Sequence, residues 1–404
     1  MEARREVFRR VQRTTGKAGE DVNRSSINWL VNHDGSQGFS WNPIKGCSPA
    51  HIGCLHCYAA RLAATRLAHL PAYAGLAKRW CVFGETGSAW TGDVRFFPEL
   101  LDEPLRRRKP SSIFPCDMAD LFHEKVTNEQ IAAVFGVMAA CPQHRFTVLT
   151  KRARRMREWF SWVVEQAEYE RGVGEPPSES LTVSQYAFAA MDISEQDVFR
   201  GRFSALNIDT VPPWPLPNVA LLVSVSDQRT ADELIPELLQ TPSAMRGVSY
   251  EPAVGPVDFS SWLGYDDQRS ILDTCPHGRI PWGRCDVCED EMPAGSPGWK
   301  DLGLSWIVCG GESGPRARPC NVEWIRSVVR QCAEAKVPCW VKQYGANAIG
   351  DGYDLSDETV RELDAAGWWD DSEGGFRLPL RDRAGANTSE WSHELNMRQR
   401  PAGW

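Results

Sequence analysis

No apolar run in this chain approaches the length needed to span a bilayer. The basic stretch Met1 to Lys17 has no apolar segment behind it, so it does not read as a secretory signal. Together these absences lead us to expect a cytoplasmic protein without a membrane partner. No internal repeat is visible either. Charge of one sign is in only modest excess. A net charge of −8 over 404 residues argues against coating duplex DNA by charge alone, although local patches stay open.

Cysteine, by contrast, is plentiful. The thirteen cysteines are an odd number, so they cannot all pair, and several stand alone in apolar runs. In a reducing compartment the clustered ones read as metal ligands rather than disulfides. With 42% hydrophobic residues, the chain is long enough for one large domain or two ordinary ones.

From about Asn28 to Gly345 a short apolar run, a polar loop and a helical stretch recur. The runs are Ser112–Pro115, Arg145–Thr150, Val219–Val225, Arg246–Tyr250, Ser305–Cys309 and Pro338–Tyr344; helical candidates include Asn128–Cys141, Ala231–Leu239 and Val322–Ala335. Continuous apolar strands alternating with helices indicate an α/β fold with a parallel sheet, open or closed into a barrel. In either form the site lies at the C-terminal strand ends. Those ends carry Cys116, Asp117 and Asp120; Lys151 and Arg152; Ser226 and Asp227; Glu251; Gly310 to Ser313; and Lys342 with Gln343.

Residues 41–60 read WNPIKGCSPAHIGCLHCYAA, placing Cys47, Cys54 and Cys57 in a C-x6-C-x2-C pattern ahead of a helix-like stretch. Three thiolates in a compact loop can hold three irons of a cubane cluster and leave the fourth iron open. The same loop also suits zinc, with His51 or His56 as fourth ligand, or no metal at all.

The run WNPIKGC…GCLHCYA resembles a family of phage and prophage proteins marked by a three-cysteine motif. Further pieces match in order: CDMADLFHE at 116–124, VLTKR at 148–152, WPLPNVALLVSVSDQ at 214–228, VSYEPAVGPVD at 248–258, VCGGESGPRARP at 308–319 and WVKQYG at 340–345. That family looks like a divergent branch of the radical S-adenosylmethionine (radical SAM) superfamily. The resemblance implies a partial (β/α) barrel and a four-iron, four-sulfur (4Fe-4S) iron–sulfur cluster on Cys47, Cys54 and Cys57. It also implies S-adenosylmethionine as cofactor, a reductant such as flavodoxin or ferredoxin, and a nucleic-acid substrate, a modified base or a lesion. Three departures stand out. Six residues, not three, separate the first two cysteines. His56 replaces the frequent aromatic before the last one. Gly310-Gly311-Glu312 follows a late strand rather than an early one.

On this reading Cys116, Lys151 and Glu251 are the candidate catalytic residues. Cys116 is a possible hydrogen-atom donor, and Lys151 suits a cofactor carboxylate or substrate phosphate. Asp117, Asp120, Ser226 and Glu312 are candidates for cofactor binding, with Gly310, Gly311 and Ser313 beside them and Lys342 and Gln343 on the last strand. His123 and Glu124 suit acid–base work or capping. Cys309, Cys332 and Cys339 read as small core residues.

A second group, Cys275, His277, Cys285 and Cys288, has ligand types and spacing for zinc in a Gly- and Pro-rich segment. Two basic runs, Arg106–Lys109 and Lys151–Arg157, read as phosphate contacts or solvated faces. The expected layout is an N-terminal arm at 1–35 and a core at 36–345 with insertions at 162–218 and 264–299, the latter a small cysteine-rich insertion. An acidic tail at 346–404 completes it.

Overall fold

The apolar runs pair in chain order. β1 (Phe39–Trp41), β2 (Ser112–Pro115), β3 (Arg145–Thr150), β4 (Val219–Val225), β5 (Met245–Tyr250), β6 (Trp306–Gly310) and β7 (Cys339–Gln343) form one sheet, every pairing parallel. The computed structural model describes residues 24–25, 27–82, 85–171, 179–191, 212–263, 303–350, 369–370, 375–378 and 380–404. It shows the sheet curled into a half-barrel, the expected partial (β/α) barrel. A spatial order equal to the chain order is that of a barrel; a doubly wound sheet reverses at a switch point.

Local sequence fixes the covering helices. α1 (Tyr58–Ala64) follows the cysteine loop. α2 (Asn128–Ala139) starts in a capping box between Thr127 and Gln130, and α5 (Gln228–Leu239) in one between Asp227 and Thr230. α6 (Val322–Glu334) is capped by Asn321, whose side chain accepts from the Glu323 amide. Between them lie α3 (Ala153–Arg171) and α4 (Glu179–Ala190). Strand alternation sorts the core. Ile113, Phe146, Val148, Leu221, Val223 and Ile307 pack with the helices. Phe114, Ala220, Leu222, Trp306 and Val308 pack on the opposite face with Trp29 and Leu30.

Three expected boundaries move. Position 162 falls inside α3, and α4 belongs to the main core, with Val183, Tyr186 and Ala187 buried in it. A Cβ on Gly136 of α2 would stand 2.2 Å from the Val183 carbonyl oxygen, so α4 lies flush on α2. The end of the expected arm packs into the fold: Trp29 meets Phe114 and Trp306 edge-on at 5.6 and 5.5 Å. The end of the expected tail covers the β7 edge, Val341 donating to the Met397 carbonyl and Gln399 to the Cys339 carbonyl, both at 2.9 Å. Covering an edge strand removes a template for unwanted pairing. Among the described residues no helix is long and apolar enough to cross a membrane.

Candidate functional site

The C-terminal ends of the strands and the cysteine loop enclose a cavity of about 220 Å³. Cys47, Cys54 and Cys57 all line it, each half-buried. Facing them are Cys116, Lys151, Ser224, Ser249, Glu251 and Lys342, and an apolar side is built from Ile27, Trp29, Phe114 and Leu149. The site thus gathers residues from six strands, as barrel sites do.

The loop is clamped in place. A Cβ on Gly53 would stand 2.3 Å from Ser226 Oγ, so only glycine lets the loop lie this close to the end of β4. His51 donates from Nε2 to the Ser224 carbonyl at 2.9 Å and accepts at Nδ1 from the Gly53 amide at 3.0 Å. Burial lowers its pKa to about 4, so it is neutral, and both ring nitrogens are spent. His51 is therefore not free to be a fourth zinc ligand.

Arg152 holds the other end of the loop. Its guanidinium donates to the Ser48 carbonyl and hydroxyl, both at 2.9 Å, and lies 3.8 Å from Cys47 Sγ. Asp120 at 3.1 Å and Glu124 at 3.1 Å anchor it. Burial, reinforced by Asp120 and opposed by Arg152, pushes the Cys47 thiol up to about 12. A thiolate there needs a cation beside it.

Several expected cofactor ligands are occupied inside the protein. Asp117 accepts from Ser40 at 2.7 Å and Asn42 at 2.6 Å. Asp120 accepts four hydrogen bonds. Gln343 donates to the Gly311 carbonyl at 2.9 Å. Ser226 is fully buried under Gly53 and, like Gly310, lies outside the cavity lining, contrary to expectation. Ser313 is an exposed part of the lining. Glu312 accepts from Arg318 at 2.9 Å and pairs with His56 at 2.9 Å. Arg318 in turn donates to the Ile52 carbonyl at 3.0 Å. The Gly-Gly-Glu segment therefore braces the cysteine loop from the far side. Its first two residues must be small, since a Cβ on Gly311 would stand 2.1 Å from the Tyr344 carbonyl oxygen.

Burial alone would raise the Glu312 carboxyl, but the bonds from Arg318 and His56 outweigh it and hold it below its ordinary 4.5. A lowered folded-state pKa gives stability that is present above the unfolded value and fades as pH falls through the folded one. The melting-temperature gap between wild type and Glu312→Gln is thus expected to be wide at about pH 7 and to narrow below about pH 4. A gap constant across that window contradicts the ionised brace.

A polar network spans the remaining strand ends. Lys151 donates to Ser224 Oγ at 2.8 Å, Ser224 to the Glu251 carbonyl at 3.0 Å, and Lys342 pairs with the Glu251 carboxylate at 2.8 Å. An ammonium has three donors, so Lys151 and Lys342 keep capacity toward an anion in the cavity. Ser224 and Ser249 escaped the sequence reading, although Ser224 is a lone hydroxyl in an otherwise apolar strand. Ser48 and Arg318 carried no such signal. Cys116 lines the cavity, buried, with φ +63°. Cys275, His277, Cys285 and Cys288 lie outside the described residues.

Residues 24–372 match a family described as a protein of unknown function, DUF5131. The chain belongs to this family. The match takes in the cysteine loop and every strand of the half-barrel, so the family spans the site as a whole. No curated protein and no solved structure matches the chain.

Proposed function

We propose that this family member is a radical S-adenosylmethionine enzyme whose three-cysteine loop holds a 4Fe-4S cluster. One observation carries the reading: Cys47, Cys54 and Cys57 share a cavity with the polar C-terminal ends of a parallel half-barrel. Among the described residues no three His, Cys, Asp or Glu side chains converge tightly enough for a single metal ion. A cubane takes each thiolate on a different iron, whereas one zinc needs four ligands within about 2.3 Å of a single ion. When bound, the group would supply one-electron chemistry: the reduced cluster, charged by an external reductant, would give one electron to S-adenosylmethionine, which would part into methionine and a deoxyadenosyl radical.

The chain's own residues do the rest. Arg152 and His51 fix the loop. Lys151 and Lys342 present cations to a carboxylate or phosphate. Ile27, Trp29, Phe114 and Leu149 shield the reacting volume from water. Cys116 places a thiol hydrogen at the cavity wall. Zinc on Cys275, His277, Cys285 and Cys288 belongs to the same reading as a structural staple.

Anaerobic reconstitution with iron and sulfide tests it. Reduced protein with S-adenosylmethionine should release 5′-deoxyadenosine. Zinc as the only bound metal, with no sulfide and no cofactor cleavage, favours a binding protein without redox chemistry and overturns the proposal.

A further inference from the structure

Residues 35–84 contain no Asp or Glu, in a chain that has 53 of them, yet hold Lys45, Arg61, Arg66, Lys78 and Arg79. The same segment carries three of the four large hydrophobic side chains found exposed among the described residues: Ile52 at 51%, Leu55 at 58% and Tyr58 at 45%. Single exposed apolar groups mean little; three beside one cavity, in a segment rich in cations, call for an occupant.

The strip is continuous. Tyr58 lines the cavity and opens α1, and Arg61 follows three positions on, along the same face. Ala59, Ala60 and Ala63 take the buried face. The Arg61 guanidinium lies 3.2 Å from where a Cβ on Gly314 would stand. Two residues further along that loop, Arg316 sits over the Trp80 ring at 5.7 Å. Trp80 belongs to the hairpin Ala77–Val82/Glu85–Trp90, where a Cβ on Gly87 would stand 2.2 Å from the indole, so the ring lies flat across its partner strand. Lys78 shares the Trp80 face by strand alternation. Of the carboxylates lining the cavity beside the strip, half-buried Asp117 and buried Glu312 are both hydrogen-bonded within the protein.

We propose that this strip binds single-stranded nucleic acid, with phosphates on Arg61 and Lys78 and unstacked bases on Tyr58 and Leu55. Cations interleaved with flat apolar groups are what a single strand needs, because it offers phosphate and open base faces together. A duplex hides those faces, and an acidic protein offers none. Tyr58 also lines the cavity, so a strand lying on the strip delivers one base into it. The inference deepens the enzymatic reading, on which it rests for the fate of that base, by naming the substrate class.

Fluorescence anisotropy of a labelled oligothymidylate of about 16 nucleotides with the full chain tests it. The affinity should fall with salt, log K against log salt sloping by roughly −0.7 per neutralised phosphate. Arg61→Glu with Lys78→Glu should weaken binding by at least about tenfold and flatten the slope; Tyr58→Ala should weaken it about tenfold. Arg229→Glu, on α5, should change nothing, and circular-dichroism melts should confirm that each variant folds. The proposal falls if the wild type shows no salt-dependent binding. It also falls if a duplex of the same length binds more tightly, or if folded strip variants bind like the wild type. Strip-dependent binding without 5′-deoxyadenosine would keep the surface and remove the radical chemistry; cofactor cleavage with strip-independent binding would do the reverse.

Discussion

Changing Cys57 to Ala should reduce bound iron and inorganic sulfide to background and abolish S-adenosylmethionine cleavage, while barely moving the melting temperature. The small stability effect follows from local structure. Cys57 is the N-cap of α1 but makes no side-chain cap bond, and it is only half-buried. Its removal leaves no unpaired buried group and no large void, so the cost stays within about 1 kcal/mol. The large functional effect follows from ligand count. A cubane with an open iron has three protein thiolates, and losing one leaves two irons without a protein ligand. Cys116→Ala provides the contrast. That thiol shares the cavity but belongs to β2's turn, so its loss should leave iron and sulfide intact and affect only turnover. Colorimetric iron and sulfide assays on anaerobically reconstituted protein separate the two variants. Full iron and sulfide in Cys57→Ala would remove the three-cysteine assignment.

Much of the scaffold was legible because parallel strands buried on both faces must be continuously apolar. VALLVSV needed no help to be read as a strand. β1 escaped, since FSW is three residues with a half-buried first pair and owes its place to pairing with β2. The last residues escaped for a related reason. Trp391 and Leu395 are isolated apolar residues in a polar stretch, and only tertiary packing buries them; Trp391 stacks on Tyr344 at 4.7 Å. At the site, residue types at strand ends were legible, but their partners were not. Arg152 read as one member of a basic run, while its guanidinium turns inward onto the cysteine loop. Glu312 read as a candidate cofactor-binding residue, yet Arg318, six residues on, engages its carboxylate. Sequence position shows which residues reach the cavity rim. Which of them stay free there depends on long-range hydrogen bonds that have no local signature.

Asp120→Ala should be the most destabilising single change at the site, by about 3–5 kcal/mol. Its carboxylate is 5% exposed and accepts from Thr150 Oγ1 at 2.7 Å, from the Phe122 and Lys151 amides at 3.0 Å each, and from Arg152 Nη1 at 3.1 Å. Truncation would orphan two buried amides and deprive a mostly buried guanidinium of its best-placed counter-charge. Buried donors left without acceptors cost more than the bonds gained in forming them. Asp120→Asn sharpens the test. The amide oxygen can keep Thr150 and Phe122, but the amide nitrogen then points donors at the Lys151 amide and at Arg152. The isosteric change should therefore cost nearly as much as truncation, and it should release the Arg152 clamp on Ser48 and lower the yield of iron on reconstitution. Urea denaturation of both variants measures the first effect, and iron analysis the second. An Asp120→Asn protein as stable as wild type would mean that shape, not charge, holds β2's turn to β3, and that Arg152 reaches the cysteine loop without it.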